Sequence, residues 1–326
     1  MTQMNQTNTT PQVSVLITVR NAEAYISETL ASILQERNVP LEIVLVDNGC
    51  TDSTIEKALA FNDERVRVVP GPKKGISHAL NVAYAAARGE IFMRCDGDDL
   101  FPPDRISRQV EWLNQHPEFG VVCGAFSTID EKGAFLANLA LHENAEEITE
   151  ELQNSKTRTH IGTFAMRAEV VKAAGYSREF FDCFEDVDFQ LRLGEACRVC
   201  YVPEIMYQYR LLPTSVTHSK SQKLMEFYDA QAFEFQRQRK TRGMDDLQLG
   251  NPPAIPTFDD KVYTVSEHTA RMLTSRAWSE HQAGHKIQAL SAGLRLVISQ
   301  PANLTAWRSL VFLLIKPAGR ASVSSS

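Results

Sequence analysis

The sequence has no glycine-rich phosphate loop. Neither GxGxxG nor GxxxxGK[ST] occurs in its 326 residues, which removes two common ways of cradling phosphate on backbone N–H groups. It has no basic excess: 34 Lys and Arg stand against 40 Asp and Glu, a formal charge of −6, and a general nucleic-acid binder is not expected. Long apolar runs are missing as well, since the most apolar late stretch, Leu310 to Ile315, falls far short of the roughly 20 residues that span a bilayer. The six cysteines (Cys50, Cys95, Cys123, Cys183, Cys197, Cys200) are scattered. In a chain large enough to fold without staples they suit free thiols in a reducing cytoplasm. Residues 1–12 are polar and lack the charged start and apolar core of a signal peptide, so they are expected to be disordered and the protein cytoplasmic.

What is present is ordinary globular material, 43% hydrophobic and 23% charged, enough for one large domain and an appendage. The charge is unevenly spread. From Lys261 onward eight Lys/Arg face only Glu267 and Glu280, about +6, which leaves about −12 on the remainder.

Apolar runs and helical spacing alternate from the start. Val13 to Val19, Glu42 to Val46, Arg65 to Val69 and Glu90 to Cys95 read as buried strands. Between them, helices are expected after Tyr25, from about Asp52 to Phe61 and from about Ser77 to Arg88. Strand and helix in this rhythm imply an α/β fold with a mainly parallel sheet flanked by helices, whose ligands bind beyond the carboxyl ends of the strands. Two acidic loops fall at that edge: Asp47 after the second strand, and Asp96, Asp98 and Asp99 after the fourth. Crowded carboxylates repel one another unless solvent screens them, the backbone splays them apart or a cation lies among them. Hard carboxylate oxygens favour Mg²⁺ or Mn²⁺, and such a cation can bridge to a diphosphate. Gly97 would let a ligand approach the backbone. A plain Asp/Gly turn before a capped helix is the other reading of the same residues, and Arg94 either offsets the cluster or points to solvent.

Five ordered segments, VSVLITVRNAEAYISETLASIL, LEIVLVDNGCTDST, KKGISHALNVAYAAARGEIFMRCDGDDLFPPDRI, GYSREFFDCFEDVDFQLRL and YQYR, resemble the family 2 glycosyltransferases of the GT-A (Rossmann-like) fold. The resemblance covers roughly residues 13–218, taken as the catalytic domain. It implies a nucleotide-diphosphate sugar donor, a divalent metal (Mn²⁺ or Mg²⁺) at a DxD motif, and inversion at the anomeric carbon. Asp96 and Asp98 then form the DxD pair, with Asp98 the direct metal ligand and Asp96 closer to the ribose and sugar. Asp47 and Asn48 match the acidic pair that contacts the nucleoside; Asn48 still offers a carbonyl to a pyrimidine N3–H, so UDP- or dTDP-sugars fit best. Thr18 and Asn21 match the base pocket, though Asn21 is equally suited to cap the next helix. Lys74 and Ser77 match the segment along the nucleoside. Asp186 matches the general base that takes the proton of the acceptor hydroxyl, Glu185 the acceptor-binding residue, and His160 a strand fronting the acceptor. Asp188 is expected to face away. Arg210 matches the YR motif, pairing with the diphosphate or bracing the active-site loop, and His218 is the nearest histidine for the metal site.

After His218 the character changes. Residues 219–326 are expected to form a helical extension, with one polar helix over 219–242 and a rigid spacer, GNPPAIP, at 250–256. Ile287, Leu290, Leu294 and Val297 would share one apolar face, and a second apolar run passes through Trp307, Val311 and Leu314. Such helices can pack on the catalytic domain, dock a partner protein or rest on an anionic membrane. Two other classes compete with a transferase acting on a glycan or lipid-linked acceptor. A nucleotidyltransferase would need a glycine- and basic-rich first loop, and a non-catalytic sugar-nucleotide or glycan-binding module would need no base.

Overall fold

A computed structural model of the protein describes residues 10–317 except 182, 216–217, 219, 259–261 and 263. Most of the 1–12 segment therefore lies outside the described residues. Among these residues nine strands occur: β1 (Val13–Val19), β2 (Leu41–Asp47), β3 (Val66–Pro70), β4 (Ile91–Arg94), β5 (Val121–Ile129), β6 (Phe135–Leu139), β7 (Glu146–Glu147), β8 (Ala165–Arg167) and β9 (Val199–Arg210). The helices are α1 (Ile26–Leu34), α2 (Thr54–Leu59), α3 (Ile76–Ala86), α4 (Arg105–Gln115), α5 (Thr149–Gln153), α6 (Ala168–Ala174), α7 (Asp186–Ala196), α8 (Gln222–Arg242), α9 (Val265–Gln282), α10 (Lys286–Ser299) and α11 (Leu304–Ile315).

The sheet runs β3-β2-β1-β4-β8-β5-β9-β7. β1 pairs in parallel with β2 and β4, and β2 with β3, while β8 is antiparallel to both β4 and β5. The parallel half is the part that unbroken apolar runs predict, because strands covered on both faces need no polar alternation; six of the seven β1 residues are buried. Order 3-2-1-4 means the chain leaves β1 on one side and returns on the other. The resulting switch point opens a crevice between the carboxyl ends of β1 and β4. Register places Val19 beside Asp47, and Leu16 beside Arg94, so both acidic loops emerge at that edge.

The chain divides into two compact units, and the division is interleaved. The first takes the residues up to Phe126, Ala140–Gln208 and Met225–Pro256; the second takes Ser127–Leu139, Tyr209–Leu224 and the residues from Thr257 on. The expected cut at 218 therefore differs from the observed partition, in which most of α8 packs with the sheet domain. There Tyr228 and Phe235 bury their rings against Phe180 and Phe181. In the second unit Leu136 and Leu211 form a core with Leu273, Leu296, Val297 and Ala306. A Thr264–Glu267 capping box starts α9, and Asn303 caps α11 by accepting from the N–H groups of Thr305 and Ala306. The expected apolar face of α10 is split: Val297 is buried, whereas Ile287 and Leu294 are exposed. Its packed face is made instead by Ala289, Ala292, Gly293, Leu296 and Val297, because small residues let a helix approach its neighbours closely.

Candidate active site

The turn after β4 is fixed from below. The Asp96 N–H donates to the Tyr207 hydroxyl (3.0 Å), which in turn donates to Oδ2 of fully buried Asp99 (2.7 Å). Burial, then Asp99, push the Tyr207 pKa well above its ordinary value, which keeps the hydroxyl a donor. Gly97 is buried, and a Cβ there would meet Cγ1 of Val19 at 2.5 Å. Its role is to let the turn pack on the end of β1 rather than to admit a ligand to the backbone, which corrects the reading from sequence. Of the three aspartates, Asp99 thus serves the scaffold, while Asp96 and Asp98 are half-buried at the crevice.

One cation among these carboxylates is the protein's own. Arg94, nearly buried, holds Asp96 through Nε to Oδ1 at 2.9 Å and reaches Glu185 Oε1 with Nη1 at 2.5 Å. The two acids respond differently. Burial raises the Asp96 pKa but Arg94 outweighs it and holds the group below the usual range; Glu185, deeper and touched by one guanidinium nitrogen, is raised by burial despite Arg94. Asp186 opens α7, and burial likewise raises its pKa. A carboxyl of raised proton affinity beside an arginine-tied carboxylate is a suitable proton acceptor near neutral pH. Asp188, two residues on, turns into the interior toward arginines of the scaffold. It is fully buried and ion-paired with Arg192 (2.8 Å) and Arg178 (3.5 Å), and Arg178 also holds Asp245 beyond α8 at 2.6 Å. A carboxylate this deep requires such partners, and the network anchors the first turn of α7.

His160 joins this group. Its ring stacks on Tyr207 (centroids 5.3 Å apart), its Nδ1 accepts from the Gly162 N–H at 3.1 Å, and burial lowers its pKa to about 4 against the pull of Asp96. At neutral pH it is uncharged with its proton on Nε2.

The other expected donor-site residues have mixed fates. Asp47 Oδ1 accepts from the N–H groups of Cys50 (2.8 Å) and Gly49 (3.0 Å), and the Cys50 bond above all holds its pKa low. Thr18 is half-buried in β1, level with Val46. Asn48 clasps Lys74, its Nδ2 donating to the Lys74 carbonyl (2.6 Å) and its Oδ1 accepting from the Lys74 N–H (3.2 Å). Asn21, in the left-handed region at φ 59°, does not cap α1; its Oδ1 accepts from the Thr51 N–H at 2.8 Å. Ser77 departs furthest from expectation, since it is fully buried and donates to the Phe181 carbonyl at 2.5 Å, tying α3 to the loop before α7. In the second unit, Arg210 is buried and donates to the Glu131 carbonyl (3.2 Å), which braces the turn between β5 and β6. His218 engages both ring nitrogens, Nδ1 donating to the Leu212 carbonyl (2.7 Å) and Nε2 accepting from His268 Nδ1 (3.0 Å). A metal would have to displace that contact.

Three residues of the site carry no signal strong enough to be assigned from sequence: Tyr207, the bridging role of Arg94, and Asp229. Asp229 lies on α8 next to Tyr228, which packs on Phe184 just before Glu185. Burial first, then the charge of Asp186, raise its pKa to about 6. Its folded pKa exceeds the unfolded one, so the stability it confers is present at low pH and lost as pH rises through about 6. Asp229→Asn is therefore expected to raise the melting temperature by a few degrees at pH 7.5 and by less at pH 5. Melts at the two pH values check this.

Among the described residues no three or more His, Cys, Asp or Glu side chains form a metal cage. Mg²⁺ and Mn²⁺ sites that include substrate phosphates need only one or two protein carboxylates, so the donor set of Asp98 and Asp96 fits a cation shared with a diphosphate and not one held by protein alone.

The family model described as glycosyl transferase family 2 matches residues 14–184. An uncharacterised glycosyltransferase, EpsJ of Bacillus subtilis, is 31% identical over 219 residues, covering 64% of this chain and 63% of that protein. The chain thus spans less than two thirds of that relative's length. Chondroitin synthase of Pasteurella multocida is 28% identical over 222 residues, 67% of this chain and 22% of the synthase. Among solved structures, S. aureus TarS 1–349 in complex with UDP-GlcNAc superposes with a TM-score of 0.57 at 18% identity, covering 95% of this chain and 93% of that one. At that identity the likeness establishes the GT-A type of fold.

Proposed function

Since the chain belongs to glycosyl transferase family 2, we propose that it moves a sugar from a UDP- or dTDP-sugar to a hydroxyl of a glycan or lipid-linked acceptor, inverting the anomeric carbon, with Mn²⁺ or Mg²⁺ bound. The observation that carries this reading is the division of labour among carboxylates at the crevice: Arg94 ties Asp96 to Glu185, while Asp186 at the start of α7 has raised proton affinity. The acceptor oxygen attacks the anomeric carbon, its proton passes to the Asp186 carboxylate, and the bond from that carbon to the phosphate oxygen breaks with its electrons leaving on the nucleoside diphosphate. No protein nucleophile intervenes, so one displacement inverts the centre. Glu185, fixed by Arg94, and neutral His160 position the acceptor hydroxyl. Asp98 with Asp96 would hold the cation, which neutralises charge on the departing diphosphate. The complexes of TarS with UDP-GlcNAc and UDP support a uridine donor. All six cysteines are free, which supports a cytoplasmic setting. The absence of a glycine- and basic-rich first loop disfavours a nucleotidyltransferase, and the paired acids of α7 disfavour a binding module.

Calorimetry with UDP and Mn²⁺ tests the donor site. Asp98→Ala is expected to abolish metal-dependent UDP affinity while leaving the fold intact, since a half-buried turn residue contributes little to stability. Unchanged Mn²⁺-dependent affinity would remove Asp98 from the site.

A further inference from the structure

We propose that the C-terminal helices dock on an anionic lipid surface through outward apolar stripes of α10 and α11. This goes beyond the transfer reaction and does not depend on it. On α10, Ile287, Leu294 and Ile298 recur at steps of seven and four residues, hence on one side of the helix, and Ile287 is 82% and Ile298 70% exposed. On α11, Leu304, Val311 and Ile315 repeat the same spacing, and Leu304 is 72% and Ile315 76% exposed. These side chains are surplus to the unit's interior, which is closed by Ala277, Ala289, Ala292 and Leu313. The two helices run as a pinned pair, for Lys286 Nζ donates to the carbonyls of Leu314 (2.9 Å) and Lys316 (2.8 Å).

Charge selects the occupant. From Lys286 to the end the sequence has five basic residues and no acidic one, although the chain as a whole carries 40 acids in 326 residues and about five would fall in a segment of this length. Arg308 and Lys316 are exposed beside the α11 stripe. Half-exposed Trp307, whose Nε1 donates to the Pro301 carbonyl at 2.9 Å, supplies an aromatic of the kind favoured at a membrane–water boundary. Arg295 is paired with Asp130 at 3.0 Å, which leaves Arg308 and Lys316 as the bases edging the stripe of α11, and an apolar stripe edged in this way suits a helix lying in the headgroup region. No helix among the described residues is long and apolar enough to cross a bilayer.

The test is sedimentation of the full chain with phosphatidylcholine vesicles and with vesicles containing 30% phosphatidylglycerol, in the absence of donor. Each basic residue near the surface contributes about fivefold in affinity, so binding to the anionic vesicles is expected to be stronger by at least tenfold. Val311→Asp with Ile315→Asp should weaken binding at least tenfold on both vesicles. Arg308→Glu with Lys316→Glu should abolish only the anionic preference. All four side chains are exposed, and unchanged circular dichroism and melting confirm that the variants fold. Equal sedimentation with both vesicles, or binding indifferent to these substitutions, overturns the proposal. So does a concentration-dependent dimer that Ile315→Asp dissociates without any vesicle binding, which would make a second copy of the chain the occupant. Loss of the transfer activity would leave the vesicle result unaffected, so failure of either reading is separately visible.

Discussion

Asp186→Asn is expected to lower turnover by about 10²-fold or more while sparing the affinity for nucleoside diphosphate. Asparagine keeps the size and polarity of the side chain but cannot accept a proton, and the scaffold that places it would be untouched. The buried pairing of Asp188 with Arg192 and Arg178 holds the first turn of α7, and an asparagine oxygen can still accept from the Val187 N–H as the carboxylate does. Release of nucleoside diphosphate with water as acceptor measures the effect without knowledge of the natural acceptor. Near-normal turnover would place the base elsewhere, and the alternative carboxylate, Glu185, is already bound to Arg94.

Arg94→Met is the second large effect. It removes the one guanidinium that joins Asp96 to Glu185 and leaves the nearly buried Glu185 without its cation. Breaking a buried pair from one side costs about 3–5 kcal/mol, so the melting temperature should fall by roughly 10 °C and nucleoside diphosphate binding should weaken as the turn relaxes. The double variant Arg94→Met/Glu185→Gln should recover part of the stability, because the deeper uncompensated charge is gone and only half-buried Asp96 lacks its guanidinium. Equal destabilisation of single and double variants in thermal melts would mean that the Arg94–Glu185 pair contributes nothing to the loss.

The elements of the first half were legible because each is encoded locally. The run Val13 to Val19 coincides with β1, and the expected second strand and the helix from Ser77 fall within a residue or two of their observed bounds. The carboxylates at the strand ends were legible too, since a parallel sheet brings its loops to one edge whatever the side chains do there. What a polar side chain meets across the fold was not legible. Arg94 finds Glu185 91 positions away, Ser77 finds the Phe181 carbonyl 104 away, and Tyr207 finds Asp99 108 away. No spacing rule reaches that far, so Ser77 read as a donor contact when it is a tie between elements. Gly97 likewise read as space for a ligand, because the approach of Val19 depends on the register of β1 against β4. In α10 the split of the apolar face had another origin. Grouping Ile287, Leu290, Leu294 and Val297 as one apolar face overlooked that alanine and glycine make the close contact and leave Ile287 and Leu294 outside.

The measurement that bears most directly on the account is a proton NMR time course of the wild-type protein with α-linked UDP- and dTDP-sugars and Mn²⁺. The account predicts release of the nucleoside diphosphate together with a free sugar that first appears as the β anomer, and predicts that Asp186→Asn suppresses both. Release of the α anomer first, or no nucleoside diphosphate from any donor, would contradict it.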